Sequence, residues 1–244
     1  MSIATLLNRR VREQGAAPFV THVSDAGRTE LSATSLMNAA AKIGNALLDE
    51  FDLTPGEAIG LALPPHWQRS CWLAGAWLAG IAVVPVDDPE WLPTEGLRLI
   101  VAGPQEAAAL SGSVSGTGAQ VAVVSLHPLG MPEAVPDGCL DATSLARIQP
   151  DAFIFEPAAA DSIAVVGTDG TLDQTRVCEL AELLGTRWGL SAGGRLLLDP
   201  GIPGMAGWLS MLAVPLVMQA AVVLGSADAV EREGITAVAT WPLD

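Results

Sequence analysis

Two long apolar stretches, each interrupted by a proline, constrain the fold of this chain more than any other feature. The first runs from Trp67 to Val86 and contains Pro85, and the second runs from Gly207 to Leu224 and contains Pro215. A helix that crosses a membrane needs about 20 continuous apolar residues. The apolar part of the first stretch, Cys71 to Val86, has only 16 residues and is broken by Gly80 and Pro85, and the second is broken by Pro215 and Gln219. Each stretch therefore predicts a helix followed by a buried strand, and no membrane span is expected.

Helix-like and strand-like segments alternate along the rest of the 244 residues as well. This alternation predicts an α/β protein of layered sheets and helices. Half of the residues are hydrophobic, which is enough to build a core of ample size. The segment from His127 to Pro157 has the composition of a loop or a partly covered surface strand. We therefore expect a first α/β subdomain over residues 1–150 and a second over 151–244.

Periodicity and turn residues give the expected elements. Ser32 and Ser35 lie where the second helix begins, and they favour its capping. The predicted helices are Ile3 to Gln14, Ser35 to Phe51, Gln105 to Leu110 and Arg176 to Trp188. The predicted strands are Ala17 to Val23, Ala58 to Leu63, Leu97 to Val101, Gln120 to Ser125, Ser162 to Val166, Arg195 to Leu198 and Ile235 to Thr240.

Charge and rare residue types restrict the function. The net charge of −15 disfavours nucleic acid and anionic membrane surfaces as partners, because both would repel the chain. Lys42 is the only lysine, so a mechanism that needs a catalytic lysine has a single candidate. The three cysteines are widely spaced without a CxxC pair, which favours a reducing, cytoplasmic location over a zinc site or a disulfide framework.

An ordered series of short motifs lies between Gly27 and Asp87. In chain order it comprises Gly27-Arg28-Thr29-Glu30-Leu31-Ser32, Leu53-Thr54-Pro55-Gly56-Glu57, Pro64-Pro65-His66-Trp67 and Ile81-Ala82-Val83-Val84-Pro85-Val86-Asp87. A helix follows the first motif, a short apolar strand follows the second, and a long apolar helix follows the third. This order resembles the start of the adenylate-forming superfamily of acyl-CoA synthetases, luciferases and peptide-synthetase adenylation domains.

The later part of the chain resembles the same superfamily in the order of its elements. Asp161-Ser162-Ile163-Ala164-Val165-Val166, Gly193-Gly194-Arg195-Leu196-Leu197 and Gln219-Ala220-Ala221-Val222-Val223-Leu224 match its strands and turns. The resemblance covers most of Ser2 to Trp241 and implies the N-terminal half of the large domain. The superfamily carries its adenine-binding motif, its ribose-holding aspartate and a carboxylate-orienting lysine in a following half. None of these has a counterpart in the 244 residues.

The phosphate loop of the superfamily is close to Thr-Ser-Gly-Thr-Thr-Gly-x-Pro-Lys-Gly. The matching segment here is degenerate, and the phosphate-binding residues that the resemblance implies are Gly167, Thr168, Gly170 and Thr171. It also places Asp169 and Asp173 where an anion would lie, and it has no lysine. Carboxylates repel a triphosphate, although magnesium could offset this repulsion. ATP or AMP with magnesium is therefore disfavoured as a cofactor, and the alternative is a solvated turn.

Further candidates come from single residues. The resemblance implies that His66 and Trp67 face the acyl substrate, while the alternative for His66 is a helix cap or a surface side chain. Asp87, Asp88 and Glu90 could bind a divalent cation, but a solvated acidic turn is commoner, and no metal site is assigned. The segment Ser111 to Gly118 is glycine-rich, but it follows a helix and precedes a strand, so we expect a connector there. Five tryptophans could form the core, line a pocket or form an oligomer contact, namely Trp67, Trp72, Trp77, Trp91 and Trp208.

These observations favour a non-catalytic relative of the AMP-forming acid ligases. Such a protein would bind a small ligand or a partner protein, and no catalytic residue is assigned. The alternative is an AMP-dependent ligase, or one half of a split ligase, that binds ATP and a carboxylic acid. A second alternative is a self-associating scaffold, such as a homodimer, with tryptophans between the protomers.

Overall fold

The computed structural model describes residues 1–87, 96–114, 116–168, 170–198, 202–226 and 230–241. The helices are α1 (Ile3–Gln14), α2 (Ala33–Asp49), α3 (Trp67–Leu78), α4 (Pro104–Ser113), α5 (Ala142–Arg147), α6 (Gln174–Arg187), α7 (Gly204–Ser210), α8 (Ala213–Val217) and α9 (Val230–Glu233). Most of the predicted helices lie within two residues of these bounds. Ser32 caps α2 by accepting the Ser35 backbone N–H, as its position predicted.

The strands are β1 (Pro18–Ser24), β2 (Gly27–Ser32), β3 (Ala58–Ala62), β4 (Ala82–Pro85), β5 (Leu99–Ala102), β6 (Gln120–Val123), β7 (Leu140–Asp141), β8 (Ile163–Gly167), β9 (Gly170–Asp173), β10 (Arg195–Leu198), β11 (Ala221–Leu224) and β12 (Ala237–Val238). They form a seven-stranded sheet in the order β7-β6-β5-β3-β4-β8-β9 and a five-stranded sheet in the order β12-β10-β11-β1-β2. The hairpins β1–β2 and β8–β9 are antiparallel, and the other pairs are parallel.

The predicted α/β layering is confirmed. The N-terminal hairpin β1–β2 joins β11 of the five-stranded sheet, whereas the hairpin β8–β9 joins β4 of the seven-stranded sheet. Both sheets therefore combine early and late strands of the chain. The division into subdomains at residue 150 stays a prediction.

Every residue of helix α3, from Trp67 to Leu78, is buried. It contacts β1 of one sheet and β4 of the other. The Trp77 indole donates to the Ala164 carbonyl on β8, and the Ser70 hydroxyl donates to the Met211 carbonyl beyond α7. Strands β3 and β5 are buried along nearly their whole length, as expected of parallel strands covered on both faces.

Three segments predicted wholly or partly as loops contain regular structure. The segment from His127 to Pro157 contains β7 and α5, and the Asp141 carboxylate caps α5 by accepting the Ser144 N–H. A helix this short shows little periodicity in the sequence. The degenerate phosphate-loop segment, for which the alternative was a solvated turn, contains β9, which pairs with β8. The connector predicted from Ser111 begins inside α4, which ends at Ser113.

The second apolar stretch forms two short helices, α7 and α8, before β11. Pro215 has no backbone N–H for the Met211 carbonyl, and that carbonyl instead accepts the Ser70 hydroxyl at 2.7 Å. Within the described ranges, no helix combines the length and the apolar character that crossing a membrane requires. Trp72, Trp77 and Trp208 are buried within the chain, which confirms the core alternative for them. Trp91 lies outside the described residues.

Candidate ligand cleft at the strand ends

A cleft of about 590 Å³ lies at the carboxyl ends of β3 and β4 and beside the first turn of α4. Parallel sheets commonly bind ligands outside these strand ends. Its wall includes Leu63, Arg69, Asp87, Glu106 and Gly204. The start of α7 and the residues just before it therefore line the same cleft as the strand ends of the seven-stranded sheet.

Arg69 is a buried cation in the wall of this cleft. Its Nε atom donates to the Leu63 carbonyl at 2.7 Å, and its Nη2 donates to the same carbonyl. The guanidinium stacks on the ring of Trp208. Burial lowers the pKa of Arg69 to about 10, while the charges of Asp87 and Glu106 oppose that shift. Arg69 therefore keeps its charge at neutral pH.

Two carboxylates accompany this arginine. The Trp208 indole donates to Asp87 Oδ1 at 2.8 Å. Glu106 folds back towards Gly103, and its buried Oε2 atom has no hydrogen-bond partner within the described part of the chain. One arginine with two carboxylates gives this part of the wall a net negative charge, and the Glu106 Oε2 atom is an acceptor without a described donor.

The four predicted phosphate-binding residues lie together at the turn between β8 and β9. Gly167 pairs with Gly170 across the hairpin, and Gly170 has φ +125°, a conformation that favours glycine. Thr168 and Thr171 are exposed. The turn lies near α7, because a methyl group added to Gly167 would be 4.0 Å from Met205 Cε. Whether these residues bind a nucleotide stays a prediction.

Asp173 has a structural role at the end of this hairpin. It is the N-cap of α6, and its Oδ1 accepts the Arg176 backbone N–H at 2.7 Å. The N-terminus of a helix is a favourable place for a phosphate, because its N–H groups lack intrahelical partners. Here the carboxylate of Asp173 already satisfies one of these donors. Asp169 lies outside the described residues.

The single lysine is committed elsewhere. Lys42 Nζ lies 3.0 Å from Asp151 Oδ1 and donates to the Gln149 carbonyl at 2.6 Å. These contacts hold α2 against the segment that follows α5. Lys42 lines a second cavity and does not line the strand-end cleft.

His66 and Trp67 lie at the start of α3, outside the wall of the strand-end cleft. His66 caps α3, because its Nδ1 accepts the Gln68 N–H at 3.2 Å. Its ring packs edge-on against His22 with 4.6 Å between ring centroids. Burial, followed by the charge of His22, lowers the pKa of His66 to about 3, so the ring is neutral near pH 7. The helix-cap alternative is confirmed and the surface alternative is wrong, while substrate binding by these residues stays a prediction.

The other candidates are explained by packing. Cys71 is fully buried, and burial raises the pKa of its thiol to about 12. Asp88 and Glu90, which were weighed as cation ligands without a site being assigned, lie outside the described residues. In the ranges that the structure describes, no three side chains of the His, Cys, Asp and Glu types are grouped so as to hold a metal ion.

Comparison with known proteins places this geometry in a known fold. No family model matches the chain. A curated Mycobacterium tuberculosis protein, whose name states no activity, is 35% identical over 155 residues, which are 62% of this chain and 61% of that protein. The chain resembles the acyl-CoA synthetase of Brucella canis with a TM-score of 0.79 and 19% identity, over 98% of this chain and 47% of the enzyme.

Two aryl-acid ligases have similar structures. A benzoate CoA ligase from Burkholderia xenovorans matches 95% of this chain and 47% of its own length, with a TM-score of 0.73 and 18% identity. An anthranilate CoA ligase in complex with anthranoyl-AMP matches 95% of this chain and 46% of its own length, with a TM-score of 0.71 and 19% identity. This chain has the fold of the N-terminal half of an adenylate-forming enzyme. It spans about half the length of these solved enzymes.

The described residues do not fit the nucleotide that an adenylate-forming fold implies. The hairpin turn supplies hydroxyl groups and backbone amides, but its nearest described carboxylate, that of Asp173, caps α6. The lysine of the superfamily loop has no equivalent, since Lys42 is paired with Asp151. The buried Arg69 is balanced by Asp87 and Glu106. A triphosphate would therefore find little positive charge around the described part of the turn and the cleft.

Sequence reasoning missed the cluster of Arg69, Asp87, Glu106 and Trp208 as a unit. One signal was present, because Arg69 is the only charged residue in the apolar run from Trp67 to Val86. A charged side chain in such a run is seldom buried without a partner. The partners themselves lie on three other segments, so the sequence did not identify them.

Proposed function

We propose that this chain is a non-catalytic relative of the AMP-forming acid ligases that binds a small ligand in the strand-end cleft. The observation that carries the proposal is the charge arrangement of the cleft, in which Arg69 is surrounded by Asp87 and Glu106. This arrangement suits a ligand that donates hydrogen bonds, such as an ammonium or amide group, better than a triphosphate. The buried Oε2 of Glu106 is the acceptor such a ligand would reach.

The non-catalytic part of the proposal rests on missing positive charge. Phosphoryl and adenylyl chemistry depends on cations that neutralise the phosphates. Lys42 is held by Asp151 and by the Gln149 carbonyl. The Asp173 carboxylate lies at the N-terminus of α6, where it disfavours a second anion.

Two measurements test these parts separately. The first is ATP–pyrophosphate exchange with a panel of aryl and alkyl carboxylic acids, for which we expect no exchange above background. Detectable exchange that depends on the acid overturns the non-catalytic assignment. The second is the midpoint of thermal unfolding with Mg–ATP, AMP and an acyl-adenylate mimic, where a ligand at 100 times its Kd would stabilise the protein by about 2.7 kcal/mol.

The cleft ligand is tested with a panel of small primary amines and amides. We expect at least one compound to raise the unfolding midpoint of the wild-type protein. That rise should disappear in Glu106→Gln and persist in Glu179→Gln, which changes an exposed carboxylate on α6. A panel without any stabilising compound, or equal stabilisation of both variants, overturns the assignment of the cleft.

An AMP-forming ligase, alone or as one half of a split enzyme, is the second candidate. The β8–β9 turn favours it, because Gly167, Thr168, Gly170 and Thr171 lie together there. This candidate predicts magnesium-dependent binding of ATP that Thr168→Ala weakens. A scaffold or homodimer built on tryptophan contacts has lost its main argument, since Trp72, Trp77 and Trp208 pack within one chain. A cytoplasmic location and a partner protein stay predictions.

A further inference from the structure

A second cavity, of about 330 Å³, lies between α2, the start of α3 and α5. This volume is within the range of small-molecule sites. Its wall includes the aromatic rings of Trp67 and Trp72, and its rim includes Leu129, Met131 and Arg147. It shares none of its lining residues with the strand-end cleft.

The cavity presents apolar surface that the chain itself leaves uncovered. Leu129 is 79% exposed and Met131 is 50% exposed, and both lie beside the opening. The loop that carries them is held in place, because the Thr29 hydroxyl donates to the Pro128 carbonyl at 2.8 Å and the Gly130 N–H donates to the His127 carbonyl at 2.8 Å. The opening is therefore preformed, and an apolar ligand would remove these side chains from water.

A buried donor without an acceptor lies in the same wall. Trp67 is only 8% exposed, and its buried Nε1 has no hydrogen-bond partner among the residues that the structure describes. Most buried donors are paired, and an unpaired one costs about 1–3 kcal/mol. Gly130, with φ +62°, lies against this ring, and a methyl group there would be 3.3 Å from Trp67 Cη2. The glycine thus lets the loop approach the indole closely.

The rim also carries an available positive charge. Arg147, at the last turn of α5, is exposed, and its guanidinium forms no ion pair with any residue in the described parts of the chain. The neighbouring Lys42 is neutralised by Asp151 at 3.0 Å. Although the chain has a net charge of −15, this unpaired cation beside an apolar cavity favours ligands that carry a negative charge.

We propose that this cavity binds a small apolar monocarboxylate, such as a bicyclic aryl acid or a medium-chain alkyl acid. The apolar body fills the space between α2, α3 and α5, and the carboxylate pairs with Arg147 at the rim. The Trp67 N–H is a donor for acids that carry a second polar atom, and binding of a simple monocarboxylate does not require it. The site does not depend on the function proposed for the strand-end cleft.

The test is calorimetric titration of the whole chain with 2-naphthoate and with its neutral analogue 2-naphthalenemethanol. We expect saturable binding of the acid, and Arg147→Gln should weaken it about fivefold, as expected for a solvent-accessible ion pair. The same variant should leave binding of the alcohol unchanged. The matched control Arg12→Gln, an exposed arginine on α1, should bind both compounds like the wild-type protein.

A second variant locates the site. Ala146→Phe places an aromatic ring in the cavity without removing a buried side chain, and we expect it to abolish binding of both compounds while unfolding at a similar temperature. Absence of binding to the wild-type protein, or unchanged binding by Ala146→Phe, overturns the cavity as a ligand site. Equal effects of Arg147→Gln on acid and alcohol overturn the carboxylate preference.

Discussion

The guanidinium carbon of Arg69 lies 3.9 Å from the centroid of the Trp208 ring. This contact joins α3 to α7, and it positions Trp208 to donate to Asp87 at the end of β4. The pair thus fixes three segments around the strand-end cleft. A cation stacked on a desolvated indole contributes up to about 2 kcal/mol.

The first prediction follows from this pair. Arg69→Met keeps an apolar chain in place of the aliphatic part of arginine, but it leaves the Leu63 carbonyl without its donors and removes the stacked cation. We expect the free energy of unfolding to fall by about 2–4 kcal/mol, measured by urea denaturation. Arg12→Met, on the exposed face of α1, should change it by less than about 0.5 kcal/mol. Equal stability of the two variants would contradict a structural role for Arg69.

The second prediction concerns the crossing of α2 and α3. A methyl group at Gly75 would lie 2.5 Å from Ile43 Cγ2 and 3.0 Å from the Ala40 carbonyl. Gly75→Ala gains about 1 kcal/mol of helix propensity, but overpacking costs about 1–3 kcal/mol. Ile43 is β-branched and buried, so it cannot move aside freely, and we expect net destabilisation in thermal unfolding.

A double-mutant cycle identifies the cause of that loss. If contact with Ile43 is responsible, Ile43→Ala should cost less in the Gly75→Ala background than in the wild-type protein. Additive effects would assign the loss to backbone contact with Ala40.

The third prediction is a loss of stability in mild acid. An unfolded histidine has a pKa of about 6.5, whereas burial and His22 lower the pKa of His66 to about 3. Between these values the unfolded chain binds more protons, so the free energy of unfolding falls as the pH decreases from 6.5 towards 3. At pH 4.5 His66 should have lowered the free energy of unfolding by an amount on the order of 2–3 kcal/mol relative to neutral pH.

His66→Asn tests this pH dependence, because asparagine can cap α3 but does not titrate. The variant should have a flatter stability curve between pH 6.5 and 4.5, whatever its stability at pH 7. A slope equal to that of the wild-type protein would show that His66 is not the responsible group.

The fourth prediction concerns the ion pairs of Glu233. Hydrogen bonding from Arg28 lowers the pKa of this carboxylate below its ordinary value of 4.5. The pair therefore stabilises the folded chain above that value, and the contribution is lost as the pH falls through the lowered pKa. Glu233→Gln should lower the free energy of unfolding at pH 7 by up to about 1 kcal/mol, because Arg28 is nearly half exposed.

Salt provides the control for Glu233. High ionic strength should reduce the difference between Glu233→Gln and the wild-type protein, since it screens the exposed side of the pair. Glu179→Gln, which removes an exposed pair with Arg176, should have little effect at any salt concentration. A larger effect of Glu179→Gln would contradict the assignment.

Local signals in the sequence determined the order of helices and strands. The bounds of α1 and β10 were predicted as they stand in the structure, because periodicity and neighbouring turn residues are local properties. The resemblance to adenylate-forming enzymes rested on the same order, and the fold confirms it. The sequence also indicated the glycines and threonines of the β8–β9 turn, which lie together.

Only the tertiary structure decided which distant segments meet. Val20 pairs with Val222, Lys42 pairs with Asp151, and Arg69 stacks on Trp208. It also showed that the Asp173 carboxylate, which the sequence presented only as a charge beside a possible phosphate site, is the N-cap of α6. Such partners are selected by the packing of the whole chain, because a strand edge, a lysine or a buried arginine can satisfy its bonds in many ways. The charge of the candidate cleft depends on these pairings and therefore could not be read from any single segment.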